Sequence, residues 1–174
     1  MTNSRLILRD TNFEDCALFA RWETDPAVTT FFTISNGREY EEIVREHFER
    51  ENDKTQKEFT VCLKDTGKAI GRIYISNIND HYDSLDISRI YIADPANRGK
   101  GYGEEALHLA LAWAFDEMKC QRVTLDHFAD NVVAHSLYKK VGFVPEGIMR
   151  NCGKKNGKYV DLHLMSMLRD EYYK

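Results

Sequence analysis

Two hydrophobic rhythms divide this chain. Within "TNFEDCALFARWETDP", Phe13, Ala17, Leu18 and Trp22 form a helical stripe that Thr11 or Asn12 can cap and Pro26 stops. The preceding "RLILRD" reads as a strand. Tyr40, Ile43, Val44, His47 and Phe48 share a second stripe, which predicts a helix over Arg38 to Glu51 with glutamates on a solvated outer face. From Glu58 the period shortens, and "EFTVCLK" and "AIGRIYISNI" flank the turn "DTG" as a hairpin. Next come the strand "LDISRIYIA", a helix from Gly103 to Lys119, the strand "RVTLDHF", a helix from Val132 to Val141 and a strand around "GFVPEGIM". Asn156-Gly157 suits a type I′ turn, so a last hairpin returns through "YVDLHLMSML". Strands in the middle with helices before and between them predict one sheet of α/β or α+β class.

At 174 residues the chain can bury one good core but is short for two, so a single domain over residues 1–174 is expected. A net charge of −4 speaks against a surface that coats nucleic acid or anionic lipid. The N-terminal "MTNSRLILRD" lacks the apolar core of a signal peptide, and no apolar run approaches the ~20 residues needed to span a bilayer. A cytoplasmic protein is therefore expected. Cys16, Cys62, Cys120 and Cys152 are far apart, with no C-x-x-C pair and no histidine at zinc-finger spacing. No metal site is expected, and the cysteines read as buried free thiols.

The stretch "NRGKGYGEEALHLALAWAF" places Gly99, Gly101 and Gly103 at the mouth of an apolar helix. Helix N-termini leave N–H groups unpaired and carry the positive end of the macrodipole, and glycine lets those amides approach a phosphate without a Cβ in the way. Arg98 and Lys100 add positive charge. Lys100 is followed by Gly101 and Tyr102 rather than by Ser or Thr, which removes the magnesium-holding hydroxyl of a P-loop. A dinucleotide fingerprint would follow a first strand, whereas this segment follows the fourth.

"RGKGYG", Arg98 to Gly103, resembles the pyrophosphate-binding motif of the GNAT superfamily of acyl-CoA N-acyltransferases. The likeness extends to "IYIADP" before it, the amphipathic helix after it and "DNVVAHSLYKKVGF" some thirty residues on. In that last segment Asn131 and Tyr138 lie seven residues apart, two helical turns, and so on nearly one face. The resemblance is to the ribosomal-protein and N-terminal-amine branch, with polyamine acetyltransferases as near relatives. It implies a mixed, mostly antiparallel sheet flanked by helices, splayed where "LDISRIYIA" leaves "RVTLDHF" to form a cofactor cleft. It also implies acetyl-CoA as co-substrate, pyrophosphate held by Arg98, Gly99, Lys100, Gly101, Tyr102 and Gly103, and the pantetheine arm paired with the main chain of Ile90, Tyr91 and Ile92. Asn131 would contact the cofactor, and the Tyr138 hydroxyl would serve the departing thiolate.

Two departures stand out: Ala134 replaces a frequent serine, and "LDISRI" lacks a glutamate common in that strand. The general base is then sought in Asp86 or, through water, Ser88, with Glu23 and Asp25 behind them. The acceptor is expected to be a peptide α-amine or a small primary amine, with a polyamine second and a homodimer compatible with the family. The opening helices and last hairpin should wall the acceptor cleft, and carboxylates in the first half would suit a cation. Two rivals from other classes are an acyl-CoA-binding module without turnover, against which Tyr138 counts, and an interaction protein docking through the acidic helix.

Overall fold

The computed structural model describes residues 4–33 and 37–174. Seven strands among them form one sheet in the order β1-β2-β3-β4-β5-β7-β6, made of β1 (Leu6–Asp10), β2 (Lys57–Leu63), β3 (Ala69–Asn79), β4 (Ser84–Ile92), β5 (Arg122–Phe128), β6 (Val144–Lys155) and β7 (Lys158–Leu168). Every neighbouring pair is antiparallel except β4 and β5. The helices are α1 (Asp15–Trp22), α2 (Pro26–Thr29), α3 (Tyr40–Glu51), α4 (Tyr102–Ala112), α5 (Val132–Val141) and α6 (Arg169–Tyr172). None is long and apolar enough to cross a membrane.

The strand rhythm of the sequence becomes the two faces of the sheet. Leu85 and Ile87 of β4 and Val123 and Leu125 of β5 pack with Ala106, Leu107, Ala110 and Leu111 of α4 in the main core. The intervening residues, Asp86, Thr124 and Asp126, belong to the opposite face. Asn12 and Asp15 cap α1 reciprocally: each side chain accepts from the other's N–H, at 3.2 and 3.0 Å. The final hairpin turns where expected, with Asn156 and Gly157 both at positive φ (49° and 77°), as a type I′ turn requires.

Several boundaries differ from the sequence reading. The second helix begins at Tyr40, because Arg38 is drawn out of the helix into a buried ion network. The helix expected to run from Gly103 to Lys119 is α-helical to Ala112 and then widens into a π turn over Trp113–Glu117, which buries Ala114 and Phe115. The short α2 and α6 were not foreseen, since four residues cannot display a helical period. Cys16, Cys62 and Cys120 are buried and free as expected, whereas Cys152 on β6 is exposed.

Beneath β4 lies the ion network. Arg72 of β3, fully buried, stacks over Phe19 at 4.4 Å and spans Glu23 (Nη1–Oε1 2.5 Å) and Glu58 (Nε–Oε1 2.7 Å). Glu23, equally buried, also meets Arg89 at 3.3 Å, Arg38 at 3.5 Å and the Tyr91 hydroxyl, which donates at 3.0 Å. Burial alone would raise the Glu23 carboxyl, but Arg72, Arg89 and Arg38 outweigh it and hold it below its ordinary value. A carboxyl so depressed stabilises the fold above its unfolded pKa, and that stability is lost as pH falls through the folded value. Glu23→Gln leaves three guanidiniums without their shared anion. Removing one partner of a buried pair costs roughly 3–5 kcal/mol, so urea unfolding at pH 7 should show a loss of that order, and the loss should shrink toward acid pH.

Candidate active site

The parallel contact between β4 and β5 lasts only three residue pairs, Ser84–Arg122, Leu85–Val123 and Asp86–Thr124. Beyond it the strands part. Asp86 marks the fork, accepting hydrogen bonds from the Thr124 hydroxyl at 2.9 Å and the Ser88 hydroxyl at 2.8 Å. On β4 the register to β3 then slips: Ile75 faces Ile87 and Tyr74 faces Arg89, so Ser88 is the extra residue of a β-bulge. The bulge turns the rest of β4 away from β5.

A cleft of about 560 Å³ fills the fork. Ser88, Ile90, Tyr91, Ile92, Arg98, Gly99, Gly101, Tyr102, Gly103, Asn131 and Tyr138 all line it, so eleven of the fifteen candidate residues named from the sequence converge there. Asp86 and Lys100 do not line it. Asp86 is spent on holding the fork together, and exposed Lys100 contributes its carbonyl as acceptor to Arg5 Nη2 at 3.1 Å.

Three expectations change in detail. Ala93 N–H donates to Ile70 O at 2.8 Å, so by the alternation of an antiparallel ladder the Tyr91 main chain is also turned toward β3. Ile90 and Ile92 thus present their main chain to the cleft, while Tyr91 is committed to the sheet and its hydroxyl to Glu23. The Arg98 guanidinium is not a free cation aimed at a phosphate. It braces the end of β4, donating from Nε to Ile92 O at 3.1 Å and from Nη2 to Ala93 O at 2.8 Å. Glu23 is surrounded by three arginines, and Asp25 caps α2 by accepting from Ala27 N–H at 2.9 Å, so both are engaged in structural bonds and neither lines the cleft.

The glycine segment forms a backbone cradle. Gly99 and Gly101 adopt φ of 71° and 80°, and Gly101 is the N-cap of α4. The first helical bond is donated by Glu105 N–H to Gly101 O at 3.0 Å, which leaves the amides of Tyr102, Gly103 and Glu104 outside the α4 ladder. Nothing lies within 4 Å of a Cβ built on Gly99, and only Arg5 Nη2 at 3.6 Å meets one on Gly101. Open space over turned-in amides at the positive end of a helix fits a pyrophosphate. Across the cleft, Asn131 caps α5 by accepting from Ala134 N–H at 3.1 Å, and Tyr138 follows on the same helix.

One residue escaped the sequence reading. Asp126 of β5 lines the cleft two positions beyond Thr124. It is open to water, yet the surrounding walls and then the nearby Asp86 carboxylate push its pKa up to about 6. Burial likewise raises the Asp86 carboxyl, against the bonds from Ser88 and Thr124. Burial first, and then Asp126 and Asp86, hold the Tyr138 phenol above its ordinary value and therefore protonated. A carboxylate that titrates near neutrality and a phenol that keeps its proton face one cleft, the pairing that acid–base chemistry needs.

Known proteins resemble this chain. Residues 5–144 match the family model described as an acetyltransferase (GNAT) domain. The chain is 24% identical over 172 residues to the uncharacterized N-acetyltransferase p20 of Bacillus licheniformis, spanning 97% of this chain and 95% of the relative. It is 26% identical over 171 residues to the spermidine N(1)-acetyltransferase of Vibrio cholerae, spanning 98% and 96%. A crystal structure of spermidine N-acetyltransferase from Vibrio cholerae, in complex with CoA and spermine, superposes with a TM-score of 0.90 over 99% of this chain and all of that one, at 24% identity, a likeness of fold.

The cradle generates a direct test. Valine at Gly101 must adopt a left-handed backbone that costs about 1–2 kcal/mol even for an unbranched residue, and it fills the open side of the cradle. Calorimetry should show acetyl-CoA affinity at Gly101→Val lowered by at least about tenfold, the equivalent of ~1.4 kcal/mol. Gly67→Val, equally strained at φ 68° but in the β2–β3 turn, should leave that affinity unchanged.

Proposed function

We propose that this chain, which belongs to the GNAT family of acetyl-CoA-dependent N-acetyltransferases, acetylates the primary amine of a slender acceptor bearing one positive charge beside an apolar group. A peptide α-amine or a small monoamine has that chemistry. The observation that carries the reading is the composition of the cleft beyond Tyr138. Ala27, Val28, Phe31, Phe32 and Phe128 make its walls, and Asp126 is the acidic side chain among them. Phe31 meets Phe128 edge-on at 6.3 Å and Phe32 packs on Tyr91 at 5.6 Å. Such faces favour an ammonium with an apolar neighbour.

Acetyl-CoA supplies an activated acyl carbonyl and a thiolate leaving group. The chain's own groups do the rest. The cradle of Gly99 to Gly103 binds the pyrophosphate, and the outward main chain of Ile90 and Ile92 orients the arm. Asp126, ionised above about pH 6, takes a proton from the acceptor nitrogen directly or through water. As the C–N bond forms and the C–S bond breaks, Tyr138 gives its phenolic proton to sulfur and recovers one from the site.

A polyamine acceptor is the second reading, favoured by the likeness to the Vibrio cholerae spermidine enzyme. The charges near the acceptor end weigh against it. The α3 glutamates do not line the cleft whereas Arg89 does, and the adjoining groove under the β6–β7 hairpin balances Asp130 and Asp161 with Lys158 and with Lys155, whose Nζ donates to Thr29 O at 2.7 Å. Comparing kcat/KM for phenethylamine, a short peptide with a free N-terminus and spermidine at low and high salt separates the readings. A monoamine or the peptide should lead with little salt dependence. Spermidine leading, with activity that falls as salt rises, would reverse the order.

Two substitutions test the chemistry. Tyr138→Phe keeps the ring and removes the acid, so kcat should fall by ~10²-fold or more with little change in acetyl-CoA affinity. Wild-type kcat/KM should rise with pH through about 6 as Asp126 ionises. Asp126→Asn should lower it strongly and abolish that limb, and a retained limb would transfer the base role elsewhere.

A further inference from the structure

Three histidines from three elements meet beside the cleft. His127 of β5 and His163 of β7 are directly paired across the two strands, and His135 comes down on them from the first turns of α5. Ring centroids lie 5.1 Å apart for His127–His135, 5.3 Å for His127–His163 and 6.4 Å for His135–His163. One nitrogen from each ring falls within 4.8 Å of the other two. In a tetrahedral imidazole site with metal–nitrogen bonds of about 2.0–2.1 Å, ligand nitrogens stand about 3.3 Å apart. His127 Nε2 and His135 Nδ1 are already at 3.1 Å, so the third ring needs to close by up to about 1.5 Å to complete three corners.

The His127 tautomer suits ligation, and His135, whose Nδ1–H then donates to His127 Nε2 at 3.1 Å, would shift its proton to Nε2 on taking a metal. Phe128 O lies 2.8 Å from His127 Nδ1, and because a carbonyl can only accept, that nitrogen carries the proton and Nε2 keeps its lone pair. This is the outer-shell bond that orients metal-binding histidines in general. Spacing along the chain could not reveal the cluster, since it is assembled across β5, α5 and β7 rather than within one motif.

We propose that His127, His135 and His163 form a binding site for a first-row divalent transition metal of the zinc type, with a fourth position open to water. Such an ion fastens α5 to β5 and β7. His135 lies one turn before Tyr138, and the Tyr138 ring is 5.9 Å from that of His127, so the ion braces the helix that carries the candidate acid. This inference does not depend on the acceptor or on acetyl transfer.

The test uses untagged full-length protein, stripped with chelator and titrated with Co²⁺ and then Zn²⁺. One equivalent of Co²⁺ should bind per chain with visible d–d absorption of four-coordinate intensity, be displaced by Zn²⁺, and raise Tm. His163→Ala and, separately, His135→Ala should each lower the affinity by more than the ~10–100-fold that changes outside the ligand shell cost. Circular dichroism confirms the fold of each variant, and His135→Ala on the half-buried helix face serves if His163→Ala fails to fold. No binding by the wild type at millimolar metal, or binding that survives both substitutions, would overturn the site.

Discussion

The cleft exists because β4 and β5 stop pairing after three residues. A sheet that opens in its interior exposes backbone groups on both sides of the gap, and each must find a partner or remain in water. In this chain the fork is managed residue by residue. Asp86 ties the last paired position through Thr124 and Ser88, the bulge at Ser88 redirects β4, and Arg98 takes up Ile92 O and Ala93 O. The main-chain groups of Ile90 and Ile92 that remain form a short strand edge inside the molecule. An extended amide-bearing ligand completes such an edge as a strand would.

Splayed strands would close on each other without support from below. The Glu23–Arg72–Glu58 network fixes α1, β2 and β3 to the underside of β4, and Arg89 and Tyr91 draw β4 itself into it. The same network keeps the Glu23 carboxylate engaged with three guanidiniums. At Asp126 and Tyr138 burial and neighbouring carboxylates dominate instead, and so their pKa values move upward.

Much of this was legible in the sequence. The β5 and α5 ranges follow from alternation and from a capped helical stripe, and the glycine segment announced its cradle because positive φ and open space both demand glycine. What escaped depends on register and on distance in the chain. The commitment of the Tyr91 main chain to β3 follows from the parity of one ladder bond, which no residue type reveals. Asp126 hid within "RVTLDHF", where an acid at an alternate position reads as the wet face of a strand; only the fork turns that face into a cleft wall. Arg98 carries the charge a phosphate site wants, and its brace on β4 is visible only once the loop has folded back.

Hydrogen–deuterium exchange with and without acetyl-CoA measures the central claim most directly, because the account assigns binding to named backbone amides. Protection should concentrate at Ile90 and Ile92, across Gly99 to Glu104 and at the start of α5, with Tyr91 already slow in the free protein. Exchange that slows instead in the groove between Phe128 and the β6–β7 hairpin, or that leaves Gly99 to Glu104 unchanged under saturating acetyl-CoA, would contradict it.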